Sequence, residues 1–193
     1  MRADAVRLGA WLLLLAGPTG RQGPTAEAVL AGGCFWGVEA VFEHVKGVRS
    51  VTSGFARYGD PFAVEAVRIV YDPQQVGFRQ LLEVFFAVAH DPTSRDRQGP
   101  DIGQEYRAAV LYQTPAEREA AKSFMSELTT AGRFTRPIVT ELRQLSAFTV
   151  AAPFHQDYGA RNPDDPYIVR NDAPKLVQLK VRFPALYQEL RSP

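Results

Sequence analysis

Val29-Leu30-Ala31-Gly32-Gly33-Cys34-Phe35-Trp36-Gly37-Val38-Glu39 decides how this chain folds. Val29-Leu30-Ala31 is a short apolar run that stops at two glycines, the pattern of a buried strand ending in a turn. From Cys34 the spacing changes. Phe35, Val38, Val41, Phe42 and Val45 recur at helical intervals, and Lys46-Gly47 closes the run. A strand therefore feeds a helix through a tight turn, with a thiol at the helix start.

Residues 48–55 read as a strand, 56–61 as a turn, and 62–71 as a second strand closed by Asp72-Pro73. Residues 78–90 carry Leu81, Leu82, Phe85, Phe86 and Val88 at helical spacing. A polar loop over 91–104 leads into a strand at 105–112. Thr114-Pro115-Ala116-Glu117 is a capping box with proline at the first helical position, and predicts a helix to about residue 131. Residues 138–145 alternate as a strand. Beyond Phe148 the chain reads as irregular, with a helical turn or two over 174–190 interrupted by Pro184. There is no repeat and no linker. The pattern predicts one α/β (α+β) domain, with helices packed on a small mixed sheet and a long irregular C-terminal segment.

The 193 residues suffice for one domain with a substantial core. A net charge of +1, with scattered basic residues, gives no footprint for nucleic acid. The single cysteine excludes an intramolecular disulfide and a thiolate cage. His44, His90 and His155 are widely spaced, so no metal site is read.

The N-terminus differs from the rest. Arg2 and Arg7 precede the apolar block Leu8–Ala16, a turn-prone stretch follows, and Ala26-Glu27-Ala28 has the small-residue form of a cleavage site. This layout predicts a signal peptide over residues 1–28, a folded domain over 29–193, and a periplasmic or otherwise exported protein. A cytoplasmic protein with an N-terminal extension is the alternative. The apolar block is too short to span a membrane. A lipidated Cys34 fits poorly, because the apolar block does not abut it.

Cys34 has two remaining readings. It is a small buried hydrophobe, or a nucleophile whose thiolate is favoured by the positive end of a helix and reached past the glycines. Phe35 and Trp36 serve equally as core residues or as walls of an apolar pocket. Glu65 lies among Ala63, Val67, Ile69 and Tyr71 on one face of its strand, a setting that raises a carboxyl pKa and makes a general acid. The bland alternative is an edge or ion-paired glutamate. Asp101 and Tyr106, in Asp101-Ile102-Gly103-Gln104-Glu105-Tyr106-Arg107, offer hydrogen bonds at the mouth of a site. A cysteine hydrolase would pair Cys34 with His90 or His155.

Together these stretches resemble the type A peptide methionine sulfoxide reductases. Gly33-Cys34-Phe35-Trp36-Gly37 is similar to that family's signature. The segment Glu65–Pro73, His90-Asp91-Pro92, the run from Arg97 to Arg107, and His155-Gln156-Asp157-Tyr158 follow in the family's order. The resemblance implies that Cys34 is the nucleophile and that Glu65 protonates the sulfoxide oxygen. It implies that Asp101 and Tyr106 bind substrate and that Phe35 and Trp36 hold the methyl group. It implies reduction of the S epimer through a Cys34 sulfenic acid, with no bound cofactor, in a monomer. Two departures stand out. The loop before Glu65 is short, so Tyr58 is the candidate for the family's second active-site tyrosine, and Ala63 stands where histidine is common. No resolving cysteine is present, so an external thiol, thioredoxin-like, glutaredoxin or small, must regenerate Cys34. A non-catalytic binder of oxidised methionine is the remaining alternative.

Overall fold

A computed structural model describes residues 23–59 and 61–190. The apolar block Leu8–Ala16 lies outside the described residues. The strands are β1 (Ala26–Ala31), β2 (Val48–Arg57), β3 (Val64–Tyr71), β4 (Arg97–Gln98), β5 (Asp101–Ile102), β6 (Ala109–Tyr112), β7 (Glu141–Gln144) and β8 (Ala147–Val150). Six of them form a sheet in the order β7-β6-β1-β3-β2-β8, and β4 and β5 pair as a short separate ribbon. β6 and β7 run parallel, and the other neighbours are antiparallel. The helices are α1 (Phe35–Glu43), α2 (Phe78–Val84), α3 (Pro115–Thr130), α4 (Tyr158–Arg161) and α5 (Ala173–Arg182). A π-turn, Phe85–Ala89, extends α2, and another, Ile168–Asp172, enters α5.

β1 lies between β3 and β6, and a hydrophobic cluster packs on each face of the sheet there, so Val29, Leu30 and Ala31 are buried in succession. On β3 the alternation sorts the core. Val67, Ile69 and Tyr71 face the main cluster with Leu30, Phe42, Leu81 and Phe85. Val64 and Ala66 face a second cluster with Val29, Ala31, Tyr58 and Leu111. Glu65 shares the helix-facing side with Val67, as its spacing predicts. Large side chains buried in that cluster each contribute about 1.5–3 kcal/mol of transfer free energy, which pins α1 to the sheet.

The sheet begins earlier than the predicted domain boundary. Ala28 is 1% exposed and pairs with Ile69, so a cut after Ala28 would remove half of a central strand. The folded unit starts at or before Ala26. The strand predicted at 105–112 shortens to 109–112, because Gln104–Tyr106 forms a 3-10 turn. β8 runs into residues predicted as irregular, at Thr149 and Val150. α5 is also a full helix of ten residues rather than a turn or two, and it ends before Pro184. α3 is capped as predicted on one side, with the Glu117 N–H donating to Thr114 Oγ1 at 3.2 Å. The Glu117 carboxylate accepts from the Gln113 N–H at 2.7 Å, one residue before the position a capping box uses.

Candidate active site

β1 ends at Ala31 and the chain reverses through Gly32 and Gly33 into α1, with Cys34 as the N-cap. Gly33 has φ +89°, and a Cβ there would run into the Gln98 side chain. Gly37 sits where a Cβ would strike the Asp172–Lys175 pair at the start of α5. These two glycines let the β4–β5 loop and α5 close around the cysteine. Cys34 is half-buried, and it is the one free thiol.

β3 brings Glu65 to the same point. Its Oε2 accepts the Phe35 N–H at 3.0 Å, so the carboxylate takes the first free donor of α1. Burial, with the nearby Asp101 and Glu105 carboxylates, pushes Glu65 up to about 7, against the lowering effect of that hydrogen bond. The setting expected to raise this carboxyl is present.

The expected lowering of the thiol pKa is not. Burial and the neighbouring Glu65 charge push Cys34 up to about 12, although the Tyr167 hydroxyl and the Trp36 N–H both favour the thiolate. The helix terminus is real, but its leading donor serves Glu65, and a second anion beside a buried carboxylate is costly. The resting sulfur is a protonated thiol.

Tyr106 lies beside Glu65, Asp101 and Cys34, and burial and the Glu65 charge push its phenol up to about 12. Tyr106 and Asp101 both lie at this point. Tyr167 was not predicted. Its hydroxyl donates to Asp101 Oδ2 at 2.5 Å, hydrogen-bonds Cys34, and stands edge-on to Trp36. Nothing in Pro166-Tyr167-Ile168 marks it by spacing; the π-turn before α5 carries it in.

Tyr58 goes elsewhere. It is 6% exposed in the second cluster, on the other face of the sheet, beneath the Arg143 guanidinium at 5.3 Å. Tyr58 therefore does not reach Cys34, and Tyr106 and Tyr167 are the two site phenols among the described residues. Phe35 and Trp36 divide their roles. Phe35 is buried, with its ring edge-on to Phe55 at 5.6 Å and to His155 at 5.1 Å. Trp36 is half-buried, stacked on Tyr158 at 3.8 Å, and next to Tyr167.

Neither candidate histidine is placed as a base. His90 is buried and donates through Nδ1 to the Phe85 carbonyl at 2.9 Å, while Nε2 accepts from Thr140 Oγ1 at 2.8 Å. Burial lowers it to about 4, so it stays neutral with both nitrogens engaged. His155 packs its ring against Phe154, Phe35 and Trp36. No histidine is among the groups acting on the Cys34 thiol.

Larger clefts lie away from this chemistry. One of about 580 Å³ runs along α3 past Glu119, Lys122 and Ser126. A cavity of about 250 Å³ opens beside Cys34. On the far side of α1, carboxylate oxygens of Glu39, Glu43 and Asp157 lie within 4.8 Å of one another. Burial pushes Glu39 up to about 7 and Glu43 to about 8, so this group holds protons near neutrality.

The model of the family described as peptide methionine sulfoxide reductase matches residues 26–185. The chain is 43% identical over 182 residues to a peptide methionine sulfoxide reductase, MsrA 2, of Mesorhizobium japonicum, covering 88% of this chain and 93% of that protein. Its fold is similar to methionine sulfoxide reductase A of Corynebacterium diphtheriae, with TM-score 0.61 and 32% identity over 74% of this chain and 77% of that one. It is also similar to reduced Mxr1 of Saccharomyces cerevisiae, with TM-score 0.66 and 25% identity over 72% and 87% of the two chains. Mxr1 has also been solved in complex with Trx2.

Proposed function

The chain belongs to the peptide methionine sulfoxide reductase family, and on that premise we propose how its one cysteine works. It is an oxidoreductase of protein repair that reduces methionine sulfoxide, and it is of the one-cysteine type. The observation that carries the mechanism is Glu65 hydrogen-bonded at the first N–H of the helix that Cys34 caps.

Trp36, with Phe35 behind it, receives the methyl end of the side chain. Asp101 accepts a backbone N–H of the substrate through the oxygen that Tyr167 leaves open. The sulfoxide oxygen points at Glu65 and Tyr106. Protonated Glu65 gives its proton to that oxygen as Cys34 attacks the sulfur. Losing the proton leaves the new carboxylate stabilised by the Phe35 N–H. The proton that leaves the Cys34 sulfur passes to the vacated Glu65 carboxylate, which returns to its acid form. In net terms the oxygen's bond to the methionine sulfur breaks and one to the Cys34 sulfur forms. Methionine sulfur gains two electrons and Cys34 loses them, becoming a sulfenic acid. An external thiol then returns it to the thiol state.

We infer that the S epimer is the one reduced, as the family resemblance implies. Incubation of the enzyme and dithiothreitol with each epimer of a methionine sulfoxide peptide tests this. Consumption of the S form is expected, together with its loss in Cys34→Ser. Turnover of the R form alone overturns the reading. One Cys34 sulfenic acid per chain in a single turnover separates an enzyme from a mere binder.

The basic and apolar N-terminus supports export to the periplasm, with cleavage before Ala26 so that β1 stays whole. The N-terminal sequence of the mature protein checks it. The mature chain acts as a monomer, outside the membrane.

A further inference from the structure

The site chemistry leaves one adjoining space without a role. The cavity beside Cys34 is about 250 Å³ and is bounded by residues of the β4–β5 loop, by Tyr167, and by Asn171 and Lys175 near α5. Neither Glu65 nor Tyr106 lines it. Cys34 is in its wall, while the two groups assigned to the sulfoxide oxygen are not.

That placement matters for the second half of the reaction. After the first half, the oxygen sits on Cys34 beside Glu65. A thiol that displaces it must enter opposite the breaking S–O bond. The cavity gives a second molecule access to the Cys34 sulfur past residues other than Glu65 and Tyr106. Its size admits one molecule on the scale of an amino acid, smaller than common cofactor sites. Its polar groups are of both signs. Lys175 pairs with the buried Asp172 carboxylate at 3.0 Å through one ammonium proton, and it remains part of the cavity wall. Asp101 is held through Oδ2 by Tyr167, with Oδ1 left for an N–H donor. Asp91, the other carboxylate of the wall, is already matched by Arg136 at 3.0 Å and by Thr93.

We propose that this cavity seats the thiol that regenerates Cys34, and that it selects a small thiol carrying both a carboxylate, for Lys175, and an ammonium, for Asp101. The inference rests on the sulfenic-acid mechanism above. In the first step the bound thiol's sulfur bonds to the Cys34 sulfur, the S–O bond breaks, and hydroxide leaves as water with the thiol's proton. In the second, another molecule of the same thiol attacks the bound one, which departs as a symmetrical disulfide and leaves Cys34 as the thiol. Asp101 thus meets an N–H of each reactant in turn, and the two reactants bind at different stages of a ping-pong cycle.

The test compares cysteine, cysteine methyl ester and N-acetylcysteine as sole reductants with a fixed sulfoxide, at equal thiolate concentration. The ratio of kcat/KM for cysteine to that for its methyl ester should be about tenfold in the wild type, the size of one charge-assisted hydrogen bond. In Lys175→Met it should collapse towards one, and Lys175→Arg should restore it. The preference over N-acetylcysteine should survive Lys175→Met. Because that change leaves Asp172 without its partner, Lys175→Met/Asp172→Asn repeats the measurement with the pair removed. Ratios untouched by both variants overturn the proposal, as does an effect confined to the KM for sulfoxide. A wild type unable to use dithiothreitol would defeat the sulfenic-acid mechanism itself. A wild type active with dithiothreitol but indifferent to the three thiols defeats the pocket assignment alone.

Discussion

Glu65 is the residue on which the chemistry turns, because its two protonation states do different work. With its carboxyl pushed up to about 7, it is partly protonated at neutrality and able to give a proton to an oxygen. The acid form is lost as pH rises through that value. Sulfoxide reduction should therefore fall about tenfold per pH unit above 7 where this step limits the rate. Glu65→Gln should lower kcat by about 10²-fold or more and remove that descending limb. A pH–rate profile of both proteins checks the point, and an unchanged limb in the variant would assign it to another group. Glu65 was legible in the sequence because one carboxyl interrupts an apolar strand face. Tyr167 was not, because its position depends on a π-turn that no periodicity announces. The short loop made Tyr58 the candidate for a second site tyrosine, yet the strand alternation behind it leads to the far face.

At the scale of elements, the strand–turn–helix of β1 and α1 builds the site. The turn needs Gly33 in the left-handed region with the Gln98 side chain against it. Gly33→Ala should cost about 1–3 kcal/mol, more than a helix-surface change would, and should loosen the β4–β5 loop through Gln98. Denaturant unfolding measures the first effect, and a raised KM for sulfoxide reports the second through Asp101. The β1–α1 unit was readable because its periodicity changes abruptly at two glycines. β8 was not. It is a four-residue edge strand, mostly exposed, paired only with β2, and no apolar alternation marks it. The chain at 105–112 misled in the opposite sense, since Tyr106 suits a strand but belongs to a 3-10 bend before β6.

Across the whole molecule, the buried carboxylates set how stability responds to pH. Glu39 is 1% exposed and is raised from 4.5 to about 7 on folding. A raised carboxyl means the folded chain binds more protons than the unfolded one between those values. Its contribution is complete below about 4.5 and is lost as pH climbs through 7. Glu43, raised to about 8, extends the same loss. Glu39→Gln should flatten the dependence and raise stability near pH 8 by on the order of 2 kcal/mol relative to wild type, read from chemical denaturation across pH. The single-domain α/β architecture could be read from element order, but the placement of the C-terminal third could not. Its contacts with α1 are distant in sequence, and its helix follows a π-turn. The protonated thiol has a consequence for the molecule in its surroundings. Peroxides and alkylating agents attack thiolates, and at neutral pH almost none is present here. The resting repair catalyst should therefore react slowly with the oxidants that damage its clients.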